Sequence, residues 1–336
     1  MMRLFTIAII GMLGVFLVGC NSSLINDNTA ETGLPFTFQQ KASIPGEGRA
    51  AAVSFAINGK GYVALGRNKT GNSLNDCWEY DPDQNIWTQK SSFPGIERVK
   101  AIAAVVNNNA YVGLGYSPET GGCSDRAAYL TDFWKYDPAN DVWNKKAQFP
   151  TKYTDACFCF VSNNEIYVGA GFNGVSFTGE FWKYNPLQDN WTQLKNLPGI
   201  NRTLAVACAD DQHIFFGTGF MTSSANDWWE YSPATDNWSS RKQMPDHGRQ
   251  NSVALCINNR YFVATGRYWK GSVIANEYVK ADIEEYDPIN NKWISHGEIP
   301  NGKRENAIAF TINGKGYIGF GENDVGMVNS FWSFEP

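Results

Sequence analysis

Five arginines stand at one recurring position of the sequence, four residues after a proline. They are Arg49, Arg98, Arg202, Arg249 and Arg304, and Thr154 takes the sixth such position. An arginine side chain presents a planar fork of N–H donors that suits a carboxylate, sulfate or phosphate group. The spacing therefore predicts a broken ring of cationic groups that binds an anionic ligand. Structural contacts between neighbouring repeats are the alternative.

Residues next to these arginines add other polar groups. Lys100 and Gln250 are candidate ligand contacts, and Glu305 and Asp155 are carboxylates that could serve as general acid or base. All four lie within two residues of a recurring position, so we expect them on the same face of the protein as the arginines.

The composition favours many short strands. Of 336 residues, 14 % are aromatic, 32 are glycine and only 18 % are charged, a mixture typical of strands joined by glycine turns and unlike that of disordered chains or coiled coils. The formal net charge of −5 gives no reason to expect a nucleic-acid partner.

The first twenty residues form a separate segment. Arg3 is followed by an uninterrupted apolar run that ends at Cys20, as in a secretory signal. The end of the run, "LVGC", resembles the bacterial lipoprotein box, in which the cysteine is lipidated. We expect a signal peptide over residues 1–19, lipidation of Cys20, a tether over residues 20–35 and a location in the cell envelope, in the periplasm or at the outer membrane. A plain signal peptide or a membrane anchor is the alternative.

A repeat of nearly constant spacing covers residues 36–336. Each unit ends in a proline: Pro45, Pro94, Pro150, Pro198, Pro245 and Pro300. A glycine follows the arginine position at a fixed distance: Gly66, Gly115, Gly171, Gly219, Gly266 and Gly321. An aromatic residue comes after a variable gap: Trp78, Trp134, Trp182, Trp229 and Trp332, with Glu284 in the fifth unit.

Four short strands, a to d, fit between these fixed residues. Strand a is small and apolar, strand b ends at the glycine, strand c has an alternating aromatic face, and strand d carries a second tryptophan. A four-stranded sheet with two apolar faces cannot bury both alone, so such units must stack on one another.

The chain begins with half a unit and ends with the other half. Phe38 lies seven residues before Pro45, in the place of the strand-d tryptophan, and the last unit stops at Pro336 after its strand c. The N-terminal fragment is therefore predicted to supply strand d of the last unit, which closes the ring. We predict an all-β fold, a six-bladed β-propeller over residues 36–336.

The glycine-ended strand b, the "W-x-Y-D-P" pattern of strand c and the tryptophan nine residues on resemble kelch repeats. This resemblance implies the propeller fold and leaves function open, because kelch propellers include enzymes, sugar binders and protein-interaction modules. Some are copper oxidases, but His213, His247 and His296 lie too far apart to share a metal. We expect no copper oxidase, no metal and no cofactor.

The six units differ in length in the connection from strand b to strand c. In an up-and-down blade this connection shares a face with the start of strand a, where the arginines stand. Loops of variable length on a rigid scaffold are usual binding sites. Tyr268 and Trp269, in the long loop of the fifth unit, are therefore candidates to stack on a sugar ring or a partner protein.

Four cysteines, Cys157, Cys159, Cys208 and Cys256, lie in strands a, where small-residue packing explains them. Cys77 and Cys123 could form a disulfide in an exported protein.

Two functional classes fit these observations. The first is a tethered, non-catalytic recognition module that binds a small anionic sugar, another glycan or a protein through the arginine-bearing face, with the lipid as its only membrane contact. The second rests on resemblance: exported six-bladed kelch proteins include mutarotases that interconvert the anomers of sialic acid, and this chain is similar in blade number and export. In that case Glu305 or Asp155 would transfer the proton and the arginines would hold the carboxylate.

Overall fold

The computed structural model describes residues 29–46, 48–122, 124–245, 247–269 and 278–336. Cys20, with the rest of residues 1–28, lies outside the described residues, so the signal peptide and the lipid anchor stay predictions. Within the described residues, no helix is long and apolar enough to cross a membrane.

Six antiparallel four-stranded sheets form the blades, and each uses strands a to d in order. Strands a are Val53–Ile57, Ile102–Val106, Phe158–Ser162, Val206–Ala209, Val253–Ile257 and Ile308–Ile312. Strands b are Lys60–Ala64, Asn109–Gly113, Glu165–Gly169, Ile214–Gly217, Arg260–Ala264 and Lys315–Gly319. Strands c are Cys77–Asp81, Phe133–Asp137, Phe181–Asn185, Trp228–Ser232, Asp282–Asp287 and Phe331–Phe334. Strands d are Ile86–Lys90, Val142–Lys146, Asn190–Gln193, Asn237–Arg241, Lys292–Glu298 and Phe38–Lys41.

Three short elements lie outside this pattern. Glu31–Thr32 adds a parallel fifth strand to the outer edge of blade 5. Glu322–Asn323 and Gly326–Met327 form a small hairpin in blade 6, and a 3₁₀ turn spans Arg126–Ala128.

The ring closes as the sequence predicts. Strand Phe38–Lys41 pairs antiparallel with Phe331–Phe334, and Phe38 lies opposite Phe334. Blade 6 is therefore built from both ends of the described chain, and the six-bladed all-β propeller is confirmed.

Neighbouring blades are joined by a complete ring of backbone hydrogen bonds. The N–H group of the glycine after each strand b donates to the carbonyl oxygen of the arginine, or threonine, that begins the next blade. These bonds are Gly66 to Arg98, Gly115 to Thr154, Gly171 to Arg202, Gly219 to Arg249, Gly266 to Arg304 and Gly321 to Arg49, at 2.8 to 3.0 Å. Each glycine has a positive φ between 87° and 120°, and a Cβ on Gly66 would lie 2.7 Å from the Ala50 carbonyl oxygen. Glycine recurs here because the backbone geometry of the junction requires it.

A second set of backbone bonds lies close to the axis. The residue two positions after each recurring arginine or threonine is left-handed, with φ between 52° and 59°: Ala51, Lys100, Ala156, Leu204, Asn251 and Asn306. At five of the six junctions their peptide groups link consecutive blades, for example Lys100 N–H to the Ala51 oxygen at 2.9 Å. Holding non-glycine residues in this conformation costs on the order of 1 kcal/mol each, so the junctions between blades must compensate for it.

On the face opposite the arginines, side-chain hydrogen bonds join neighbouring blades. In five blades a strand-c tyrosine donates to an aspartate or asparagine in the following turn, as Tyr136 does to Asp141 at 2.7 Å. The same carboxylate accepts the backbone N–H of Ser91, in the preceding blade, at 3.0 Å. The strand-d Trp143 donates to the Ser91 carbonyl oxygen at 2.9 Å. The aromatic residues of strands c and d are thus part of the structural framework.

Blade 5 departs from the pattern at Glu284, which occupies the strand-c tryptophan position. Its side chain is buried, with 5 % exposure, and its Oε2 atom has no hydrogen-bond partner among the described residues. Burial, together with the charge of Asp282, raises the pKa of Glu284 to about 7. The carboxyl group is therefore accommodated more easily in its protonated form.

This pKa predicts a loss of stability at neutral and alkaline pH. Because the pKa of an unfolded glutamate is about 4.3, the folded protein binds the proton more tightly and loses stability as the pH rises from about 4 to about 7. At pH 8 we expect Glu284→Gln to raise the free energy of unfolding by about 3–4 kcal/mol. Near pH 4 we expect little change. Urea unfolding at both pH values measures this, with the exposed Glu97→Gln as control. The same effect at both pH values would contradict the assignment.

Candidate functional site

The upper face carries the d-to-a and b-to-c connections and surrounds one end of the axial channel. We call this opening the upper mouth. A cavity of about 120 Å³ lies in it, lined by the two residues that precede each of the six strands a, among them Lys100, Cys157, Asn251, Ser252 and Asn306. A second cavity of about 310 Å³ follows along the axis and has mainly small side chains.

The recurring arginines do not face this opening. Arg49, Arg98, Arg202, Arg249 and Arg304 are at most 3 % exposed. Four of them make two-pronged ion pairs with an aspartate just before strand c of the same blade. The partners are Asp76, Asp132, Asp227 and Asp282 for Arg49, Arg98, Arg202 and Arg249. In blade 2 the two bonds of the pair measure 2.8 and 2.9 Å.

The other two blades each lack one member of the pair. Arg304 has Ser330 where the aspartate would be, and it donates to the Ser330 carbonyl oxygen at 3.2 Å and to its hydroxyl at 3.0 Å. Burial lowers the pKa of Arg304 to about 10. In blade 3 the position of the arginine is taken by Thr154, which donates to the Gly115 carbonyl oxygen at 3.1 Å.

These contacts give the arginines a structural role. Their positive charges are matched by partly buried carboxylates or held against backbone carbonyls, so they do not make the upper mouth cationic. The ligand-binding role predicted for them stays a prediction. The signal for the ion pair is present in the sequence, because the aspartate lies two residues before the strand-c aromatic position in four blades.

One half of the upper mouth carries charged and amide side chains. Glu305 accepts hydrogen bonds from Arg267 and from Asn251, both at 2.7 Å, and Arg267 also binds Asp324 at 2.7 Å. Glu322, which the sequence reasoning missed, accepts from Arg67 and, at 2.7 Å, from Asn306. The backbones of Glu305 and Glu322 pair with each other. Two carboxylates thus stand side by side, each held by an arginine from a different neighbouring blade.

The other half is aromatic. Five rings form a continuous arc over blades 2 to 4, with successive centroids 5.1 to 6.0 Å apart: Tyr116, Tyr129, Phe172, Phe177 and Phe220. The Tyr129 ring is fully buried and supports its neighbours, while the other four rings are half-buried. Tyr116, Phe172 and Phe220 take the same position as Arg67, Arg267 and Glu322 do in the other blades, directly after the strand-b glycine. The half-circle of rings, which we call the aromatic arc, therefore lies opposite the carboxylate and arginine network. Because the residue type after the strand-b glycine differs from blade to blade, the repeat pattern does not predict which blades carry these aromatic rings.

Lys100 in blade 2 and Asp155 in blade 3 lie on the aromatic side, and the backbone of Asp155 pairs with that of Phe172. The Asp155 Oδ1 atom is buried without a hydrogen-bond partner among the described residues. Burial raises the pKa of Asp155, and the positive charge of Lys100 partly opposes this shift. Asp155 and Glu305, the two carboxylates singled out from the sequence, are therefore both placed by the structure around one opening.

The comparisons with known proteins agree with this architecture. The family model for the KLHDC2/KLHL20/DRC7 Kelch-repeats domain matches residues 29–217, more than half of the chain. The chain belongs to the kelch-repeat family. The solved structure titled "Structure of YjhT" is similar to this kelch propeller with a TM-score of 0.71 and 19 % identity, covering 86 % of this chain and 95 % of that one. At this identity the likeness shows the fold alone. No curated protein matches the chain by sequence.

The fifth-blade loop of this kelch protein is described only in part, since residues 270–277 lie outside the described residues. The Tyr268 ring packs against His247 and Tyr278, with centroids 5.1 and 5.2 Å away. Trp269 pairs through its backbone with Ser224. Both residues therefore link blades 4 and 5 on the upper face, and their predicted contact with a ligand remains a prediction.

The described cysteines are free thiols, and His213 and His296 each pair with a glutamate, Glu230 and Glu285, at 2.6 Å. Cys157 and Cys159 are thiols beside the channel, and burial raises the pKa of Cys159 to about 12. Cys77 is a buried free thiol, while Cys123 lies outside the described residues. Nowhere in the described ranges do three or more histidine, cysteine or acidic side chains converge to hold a metal.

The ion-pair role of the arginines predicts a stability defect. Arg98→Met would leave Asp132, only 23 % exposed, without its cation, and breaking such a pair costs about 3–5 kcal/mol. We expect the free energy of unfolding to fall by that amount in urea titrations. The exposed Arg126→Met is the matched control and should change it by less than about 0.5 kcal/mol. An arginine that served only a ligand would leave the stability unchanged, and that result would contradict the structural role.

Proposed function

We propose that this kelch propeller is a carbohydrate-recognition module and that the upper mouth is its binding site. The observation that carries the proposal is the division of the mouth, with the aromatic arc on one side and fixed carboxylate, amide and guanidinium groups on the other. A sugar ring has an apolar C–H face and a rim of hydroxyl groups. It can pack its C–H face on aromatic rings while the hydroxyls bond to fixed polar groups.

The rigidity of the polar half supports this proposal. Glu305, Glu322 and Arg267 are each tied to a neighbouring blade by at least one hydrogen bond. Their side chains are therefore oriented before a ligand arrives, which reduces the entropy cost of binding. The kelch fold is itself consistent with a binding module.

Removal of the aromatic arc should weaken binding more than it weakens the fold. We expect Phe172→Ala/Phe220→Ala to lower the affinity for a bound sugar by about tenfold or more, because the stacking surface is lost. Isothermal titration with a panel of neutral, amino and acidic monosaccharides measures this. Leu187→Ala, an exposed apolar position on the opposite face, is the control. Failure of every sugar to bind a folded protein would contradict the proposal and would favour a protein partner.

A second candidate function is mutarotation of a sugar, and the carboxylate pair favours it. One carboxylate would take the proton of the anomeric hydroxyl while a second acid protonates the ring oxygen, so that the ring opens and closes again on its other face. Glu305 and Glu322 are adjacent, and Asp155 has a raised pKa. These are the groups such a step would use.

The two candidates differ in the rate of anomer exchange. A module that only binds should leave the exchange between α and β anomers, followed by NMR exchange spectroscopy, at the rate in buffer. A faster exchange, absent in Glu305→Gln and present in the lower-face control Glu165→Gln, would show catalysis and would replace binding alone as the function.

A further inference from the structure

The segment that precedes the closing strand is fastened to the outer edge of blade 5. We call residues 31–36 the strap. The first two of them pair parallel with Ile294 and Ser295 of strand d, and the Gly33 N–H group donates to the Ser295 carbonyl oxygen at 2.8 Å. Part of the segment that the sequence predicts as a tether is therefore attached to the propeller.

His296 fixes the strap through both nitrogen atoms of its ring. The Nδ1 atom lies 2.8 Å from the Leu34 carbonyl oxygen, and the Nε2 atom lies 2.6 Å from Oε2 of Glu285. The Phe36 ring stacks on the imidazole, with the ring centroids 4.2 Å apart. A Cβ on Gly33 would lie 2.7 Å from the His296 ring, so this glycine lets the strap backbone lie directly against the histidine. The strap is thus attached around one side chain that is only 7 % exposed.

Both hydrogen-bond neighbours of the imidazole are acceptors. A carbonyl oxygen and an ionised carboxylate have no proton to donate, so both bonds exist together only when both ring nitrogens carry a proton. Arg260 donates to the two oxygens of Glu285, each at 2.7 Å. Although burial opposes the shift, the bonds from Arg260 and His296 lower the pKa of Glu285 to about 2, and this carboxylate is ionised at neutral pH. The imidazolium is therefore the form of His296 that holds the strap.

Charged groups surround His296 on every element packed against it. They are Arg260 on strand b and Glu284 on strand c of blade 5, Lys292 on strand d with its partner Glu31 on the strap, and the blade-6 pair Lys315 and Glu335 across a shared cavity. Only Glu284, with its pKa near 7, changes charge in the neutral range, because the ordinary pKa values of the other side chains lie well outside it. A test of His296 must therefore remove the titration of Glu284.

We infer that the strap is a pH-sensitive attachment, held at acidic pH and released as the pH rises and His296 loses its second ring proton. A neutral imidazole donates from one nitrogen only. The bond to the Glu285 carboxylate is charge-assisted and the stronger of the two, so the remaining proton stays on Nε2. The Nδ1 lone pair then faces the Leu34 carbonyl oxygen, and the contact that fixed the strap becomes repulsive.

Release of the strap changes two features of the molecule. It adds up to about 20 Å of extended chain, at about 3.3 Å per residue, to the N-terminal segment that leads to the predicted lipid anchor. It also removes one wall of a cavity of about 880 Å³ between blades 5 and 6, which Leu34 and Phe36 line together with His296 and Phe334. The inference is independent of the function proposed for the upper mouth.

Hydrogen exchange of the full protein, followed by mass spectrometry, measures the attachment of the strap. The Gly33 amide is bonded in the attached strap, so peptides that cover residues 29–37 report its release. The protection factor corrects for the pH dependence of the intrinsic exchange rate. In the Glu284→Gln protein we expect the protection factor of these peptides to fall at least tenfold from pH 5.5 to pH 8.5, while peptides from blade 2 change less than threefold. Equal protection of the strap at the two pH values would overturn the inference.

Two histidine variants in the same background assign the effect. His296→Gln carries a side chain that does not titrate, so the protection of its strap should differ less than threefold between the two pH values. His213→Gln is the matched control, because His213 also bonds to a glutamate, Glu230, at 2.6 Å, and it should keep the tenfold fall. A tenfold fall that persists in His296→Gln would show that another group releases the strap.

A second measurement does not depend on the folding of His296→Gln. In the Glu284→Gln protein, NMR follows the loss of the second ring proton of His296 through the chemical shift of its Cε1–H group. We expect this loss and the fall in strap protection to share one midpoint. Midpoints more than one pH unit apart would overturn the inference.

Discussion

The bond from each strand-b glycine to the first residue of the next blade is the contact on which the rest of this propeller depends. A four-stranded sheet with two apolar faces is stable only if a neighbour covers each face, and a ring provides that for every blade without a free edge. The glycine N–H groups set the angle and distance between successive blades around the axis, at 2.8 to 3.0 Å in all six junctions. Because the ring must close, the Phe38–Lys41 strand has to complete the last blade.

The same junction also explains why the arginines belong to the framework. Their carbonyl oxygens accept the glycine bonds, and in four blades their side chains turn back to an aspartate at the start of strand c. Each such residue therefore fixes the junction with its backbone and the b-to-c connection with its side chain. With those charges paired and buried, the character of the upper mouth is set by the residues that differ between blades. The differences separate an aromatic half from a polar half, which a strictly symmetric ring could not do.

The sequence was sufficient for the fold because the fold depends on spacing. Pro45, Gly66 and Trp78 recur in step with their counterparts, and Phe38 in the place of a strand-d tryptophan revealed the closing strand. The contacts of the site were harder to predict, because its hydrogen-bonded partners lie 16 to 255 residues apart in the sequence and meet only when the ring closes. The position of Asp76 two residues before Trp78 carried the ion-pair signal. The roles of Glu322 and Phe172 could not be predicted from the sequence, because the position after the strand-b glycine holds arginine, glutamate or an aromatic residue, depending on the blade.

A crystal structure of the protein with a bound sugar would test the central claim most directly, that the upper mouth is a carbohydrate site with its polarity divided between two halves. The account predicts density for one sugar in the upper mouth, with its C–H face against Phe172 or Phe220. Its hydroxyl groups would face the side of Glu305 and Glu322. A sugar bound elsewhere on the propeller, or one whose charged group contacts the arginines beneath the mouth after they have left their aspartates, would contradict it.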